Sequence, residues 1–144
     1  MTAEDDVFYR LRLAKGFLKE ANEDFKLQRW RSCVDNAQLT VENSGKVILA
    51  RFGPTPRTHN PGKDIQKLID EKNIDKSLLD ELKAILPFFD ELGFEEHFKT
   101  DYGLESEYLD PWELFDEDDA EKAKLAAECC FNFAEKFYKV NFPK

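Results

Sequence analysis

The sequence predicts an all-α fold: one domain over residues 1–144, built as an up-and-down antiparallel bundle of about five helices. Three observations predict it. Apolar residues recur at steps of three and four along several long stretches, which lines one face of a helix. No segment alternates apolar and polar residues with the period of a strand. The connections between the long stretches are short, which favours antiparallel neighbours.

The first helix is expected from about Glu4 to Phe25, where Val7, Leu11, Ala14, Leu18, Ala21 and Phe25 share a face. After a break at Lys26-Leu27-Gln28, helix two carries Trp30, Val34, Ala37, Val41, Ile48 and Phe52 at the same rhythm. Ser44 and Gly45 occupy the missing step, and a glycine kept there at a cost of about 1 kcal/mol implies a close neighbour. Gly53-Pro54-Thr55-Pro56 ends that helix. A third, short helix starts near Pro61-Gly62 with Ile65, Leu68 and Ile69. Helix four is expected to begin with Ser77 as its cap and to be kinked or interrupted at Pro87. Residues 99–115 show no sustained period and read as an acidic, aromatic loop. Asp116 to Asp119 then place four acids at the start of helix five, where the helix dipole favours negative charge.

Composition narrows the function. With 42% hydrophobic and 35% charged residues the chain is globular rather than disordered. No apolar run approaches the roughly 18 residues of a membrane span, and Met1–Asp6 lacks the layout of a signal peptide. Three cysteines, two of them adjacent, cannot form a disulfide framework and are expected as reduced thiols in the cytoplasm. The net charge of −9 argues against non-specific nucleic-acid binding, and DNA is not an expected partner. The charge is uneven, however. Eight acids and no base lie between Glu105 and Asp119, and without them the rest is near −1. Between Asn43 and Lys63 there are four bases, Lys46, Arg51, Arg57 and Lys63, and no acid. Either the acidic stretch covers that basic window, within a chain or across a dimer, or the window is open to a ligand.

His59, in a loop amid bases, is the best single candidate. It can act as a general acid or base, with Arg51 or Arg57 stabilising a phosphorane, or it can simply hydrogen-bond the backbone or pack on helix two. The start of helix three, with Lys46, Arg57, His59 and Lys63, can hold a phosphate. Glu42 and Lys46 read as a helix-surface ion pair. Tyr102, Tyr108 and Trp112 are expected to pin the acidic loop rather than stack a base. No metal site is expected: there is no Cys-x-x-Cys, no ligand-spaced histidine pair and no calcium loop. No cofactor is expected either.

Three segments together resemble the HEPN family, named for a proposed nucleotide-binding domain of higher eukaryotes and prokaryotes. They are helix two, with Glu42 and Lys46 four apart; Gly53-Pro54-Thr55-Pro56-Arg57-Thr58-His59-Asn60, similar to a Gly-Pro loop ending in Thr-His; and Thr100-Asp101-Tyr102-Gly103 followed by the acidic start at Asp118-Asp119. The resemblance is to small stand-alone prokaryotic or archaeal members. It implies a helical bundle that forms homodimers, and a nucleotide, an RNA or a small nucleotidyltransferase as partner in a toxin–antitoxin-like pair. One branch of the family cleaves RNA with Arg and His separated by four to six residues. Here seven residues separate Arg51 from His59 and one separates Arg57 from His59, while His97 has no arginine in the preceding dozen. The resemblance therefore implies a non-catalytic binding module. A divergent metal-independent ribonuclease using His59 with Arg51 or Arg57 is the alternative.

Overall fold

The computed structural model describes residues 2–93 and 99–144. His97 lies outside the described residues. The chain begins with α1 (Ala3–Lys26), α2 (Trp30–Ala50), the short α3 (Gly62–Asp70) and α4 (Lys76–Glu91). Residues 99–102 are helical. A 3₁₀ turn (Glu105–Glu107) and the four-residue α5 (Pro111–Leu114) follow, then the long α6 (Glu117–Asn141). Among the described residues there is no strand, only an isolated bridge between Leu104 and Leu109.

The all-helical expectation holds, but a count of about five helices is not accurate. The stretch 99–115, read as a loop, is broken into three short helical pieces. The 3₁₀ turn and α5 are each too short for a three-and-four periodicity to register. Capping shapes them instead: Asp110 and Glu113 close a reciprocal cap around Pro111, the first residue of α5. Asp116 and Asp119 do the same for α6, and the hydrogen bonds to Asp116 hold its carboxyl below the ordinary range.

Pairwise contacts fix the directions. Arg10 of α1 reaches Asn43 of α2, while Asn36 of α2 reaches Asp24 of α1, so the two run antiparallel. Lys124 lies 4.6 Å from the Phe25 ring centre and Tyr138 donates to Glu4 at 3.2 Å, so α6 is antiparallel to α1. Lys136 pairs with Glu81, and Leu92 shares a recess with Ala123, so α4 is antiparallel to α6. α1, α2, α4 and α6 thus run alternately up and down.

The stripes predicted from sequence form the core. Val7, Leu11, Ala14 and Ala21 of α1 meet Val34, Ala37, Val41 and Ile48 of α2, and α6 adds Ala123, Ala127, Cys130, Ala134 and Phe137. α2 is the central helix: every residue from Thr40 to Ala50 is buried. A helix hydrophobic or small on one face only would leave the other face wet; here the returning loop and α4 cover it.

One expectation about α4 is corrected, and one of the two alternatives at Pro87 is removed. Its cap is Asp75, not Ser77; Ser77 donates both its backbone N–H and its hydroxyl to Asp75 Oδ1, at 2.9 and 2.7 Å. Nor does Pro87 interrupt it. The proline is exposed while Ile85 and Phe89, on either side, are buried, so core packing carries the helix across a residue that disfavours it.

Two glycines contrast. A methyl group on Gly45 would run into Pro61 Cγ and sit 2.8 Å from Phe89 Cε1, the close approach that its place in helix two implied. Gly16 lies mid-way along α1, where glycine costs about 1 kcal/mol relative to Ala, yet nothing lies within 4 Å of where its Cβ would be. The packing within one chain gives no reason for it.

Cys33 and Cys130 are buried and Cys129 is exposed. Burial, reinforced by Asp24, pushes the Cys33 thiol up to about 11, and burial raises Cys130 well above its ordinary value. A thiol reagent is expected to label Cys129 alone in the folded protein, with Cys33 and Cys130 reacting only in denaturant; peptide mass spectrometry reads the sites.

Candidate functional site

The site is built where the loop after α2 folds back onto that helix. Three attachments place the loop. The Pro61 ring seats against the bare backbone of Gly45. Asn60 accepts from the Gly62 N–H at 3.0 Å and donates to Asp90 of α4 at 3.0 Å, joining loop, α3 and α4. Thr58 and Asn60 close a tight turn, in which the Thr58 hydroxyl accepts from the Asn60 N–H at 3.0 Å and donates to its carbonyl at 3.1 Å.

The third attachment is His59 itself. Its Nδ1 lies 2.7 Å from Glu42 Oε1. A carboxylate only accepts, so the contact is a hydrogen bond when Nδ1 carries a proton, with Nε2 on the opposite edge of the ring. The His59 side chain is 46% exposed and that of Glu42 only 7%. Glu42 Oε2 meanwhile receives Lys46 Nζ at 3.2 Å, and Gln38, fully buried, donates to Oε1 at 3.4 Å. One buried carboxylate therefore organises a cation, an amide and an imidazole.

This corrects the surface-pair reading of Glu42 and Lys46. Their spacing is that of a surface ion pair, but the loop covers that face of α2, and the two side chains are 7% and 10% exposed. Lys46 is therefore committed to Glu42 rather than presented to a ligand. Arg57, His59 and Lys63 are exposed. Arg51 is exposed too, and its guanidinium sits 5.5 Å from the Phe52 ring centre and 5.9 Å from that of Phe142. At the start of α3, Asn60 Oδ1 occupies the Gly62 N–H and Asp64 stands in the first turn. The anion cradle expected there thus loses both Lys46 and a backbone donor.

Beside the loop lies a groove of about 740 Å³ between Thr55 and the start of α1, walled by Phe8, Tyr9, Arg10 and Arg12. Arg12 stacks over both rings, at 5.4 and 5.8 Å. Phe8, Tyr9, Arg10 and Arg12 lie off the apolar stripe of α1, so its periodicity does not mark them.

The acidic stretch meets the other end of α2. Arg31 sits 5.5 Å from the Trp112 ring centre and donates to the Thr100 carbonyl at 2.8 Å. From Arg31 to Ala50 the helix rises roughly 28 Å, so residues 105–119 do not cover the basic window of their own chain. The aromatics do not pin this segment by burial either. Tyr102, Tyr108 and Trp112 are 59%, 93% and 73% exposed. Caps and the Leu104–Leu109 bridge fix the local backbone, and Trp112 adds its contact with Arg31.

Among the described residues, no group of three or more His, Cys, Asp or Glu is placed to hold a metal ion, and no helix is long and apolar enough to cross a membrane. No curated protein matches the chain. The family model of the HEPN domain matches residues 8–141, which spans α2, the clamped loop and the start of α6. The chain belongs to the HEPN domain family.

Proposed function

We propose that this chain is a non-catalytic HEPN module of the cytoplasm. It pairs with itself and binds a nucleotide or a small nucleotidyltransferase, in a toxin–antitoxin-like arrangement, through the edge formed by residues 51–63. The observation that carries this reading is the clamp on that edge. His59 is tied to buried Glu42, and Arg51 lies over Phe52 and Phe142. Such an edge is pre-organised for recognition, since ordering it on binding costs little further entropy. Arg57 and Lys63 supply its exposed positive charge.

One observation favours ribonuclease chemistry as a second reading. A carboxylate holding Nδ1 orients Nε2 for proton transfer, as in other carboxylate–imidazole pairs. Metal-free incubation with a mixed unstructured RNA pool separates the readings. We expect no cleavage by the wild-type protein; cleavage that disappears in His59→Ala would overturn the non-catalytic reading. The His59→Ala variant should keep its helical circular dichroism and lose about 1.5–3 kcal/mol, the worth of one hydrogen bond to a charged group. Nucleotide binding by calorimetry and co-purification of a nucleotidyltransferase from the host test the binding reading directly.

A further inference from the structure

The outward face of α1 carries a pattern that the fold of one chain leaves unexplained. Gly16 is exposed at its centre with open space around it. At roughly 100° per residue, Asp5, Tyr9, Arg12, Glu20, Glu23 and Leu27 all point within about 40° of the Gly16 direction. All six are exposed, and two are apolar or aromatic: Tyr9 at 49% and Leu27 at 61%. Among the described residues neither Arg12 nor Glu20 forms an ion pair.

The order of these residues is complementary about Gly16. Arg12 stands four positions before it and Glu20 four after; Tyr9 stands seven before and Glu23 seven after. If a second α1 crosses antiparallel with a two-fold axis at Gly16, residues equally far from the axis on opposite sides meet. Arg12 then faces Glu20 of the second copy, and the symmetry makes that pair twice. Tyr9 faces Glu23 and Leu27 faces Asp5, so no like charges are opposed. A helix without a side chain at the crossing point lets the two backbones approach closely, and helix axes meet most closely where side chains are smallest. A parallel crossing in register would instead put Arg12 on Arg12 and Glu20 on Glu20.

We propose that this chain pairs through α1, antiparallel and two-fold about Gly16, with reciprocal Arg12–Glu20 contacts. The inference rests on the reading of the chain as self-pairing and goes beyond it by assigning the face. The face adjoins the edge at residues 51–63 at Thr55, which shares a groove with Tyr9 and Arg12.

Two experiments on the full chain decide it. In a Cys129→Ser background, Gly16→Cys is expected to form a disulfide-linked dimer under mild oxidation, since the two residues lie on the axis; Cys33 and Cys130 are buried. In sedimentation, Arg12→Glu should raise the dimer dissociation constant roughly tenfold or more, because two attractive pairs become repulsive together. Adding Glu20→Arg should restore it, which a merely damaged helix would not do. A wild-type dimer that neither cross-links at position 16 nor responds to Arg12→Glu overturns the assigned face and leaves self-pairing standing. A wild-type chain sedimenting at its single-chain mass of 16.8 kDa at every concentration overturns both.

Discussion

Replacing Glu42 by alanine is expected to cost about 3–5 kcal/mol of folding stability, the range for removing one member of a buried ion pair. Its side chain is 7% exposed, and three donors converge on it. Without it Lys46, 10% exposed, keeps a charge with no counter-ion, and His59 loses the contact that seats its loop. Lys46→Met should cost less, because Glu42 would retain His59 and Gln38 as partners. The double variant Glu42→Leu/Lys46→Met should recover much of the loss, since apolar residues of similar volume replace a desolvated pair without penalty in other proteins. Urea denaturation of the four proteins measures this. A Glu42→Ala variant within about 0.5 kcal/mol of wild type would show that the Lys46 ammonium reaches solvent along its stem instead.

Gly45→Ala should also destabilise, by about 1–3 kcal/mol, although alanine is the better helix former. The added methyl would collide with Pro61 and press on Phe89. Neither yields easily: Asn60, next to Pro61, is bonded to Asp90, and Phe89 is 1% exposed. The loss should come with increased cleavage of the 53–61 loop in limited proteolysis, because the loop is displaced with the proline. Gly16→Ala is the control. At concentrations where the chain is unpaired it should gain about 0.5–1 kcal/mol, since nothing occupies the space its methyl would enter. A loss at both positions, or a gain at both, would remove close packing as the reason for Gly45.

The long helices were legible because each places apolar residues on one face over several turns. The short pieces between residues 99 and 115 were not. A four-residue helix such as α5 has no periodicity to read; its reciprocal Asp110–Glu113 cap is the local signal that marks it. The site was half legible. His59 stood out as a lone loop histidine among bases, and Gly45 announced a close neighbour. The role of Glu42 did not follow, because a Glu and a Lys four apart look the same on a wet face and a covered one. What distinguishes them is the loop lying over α2, a long-range contact that helix spacing does not encode. The cue was present in combination: a glycine three residues after Glu42 and a proline-rich return segment predict that something packs there.

The burial of α2 on all sides over Thr40–Ala50 also separates the timescales on which parts of the molecule move. Opening that helix requires α1, α6 and the returning loop to part together, so it belongs with global unfolding. The exposed part of the 53–59 loop is bounded by a helix end and by the His59, Asn60 and Pro61 attachments, and can fluctuate far faster. Any adjustment of the binding edge to a partner therefore takes place above a rigid floor. An exposed side chain such as Arg57 can change rotamer on the picosecond-to-nanosecond scale, while the imidazole of His59 is held at Glu42.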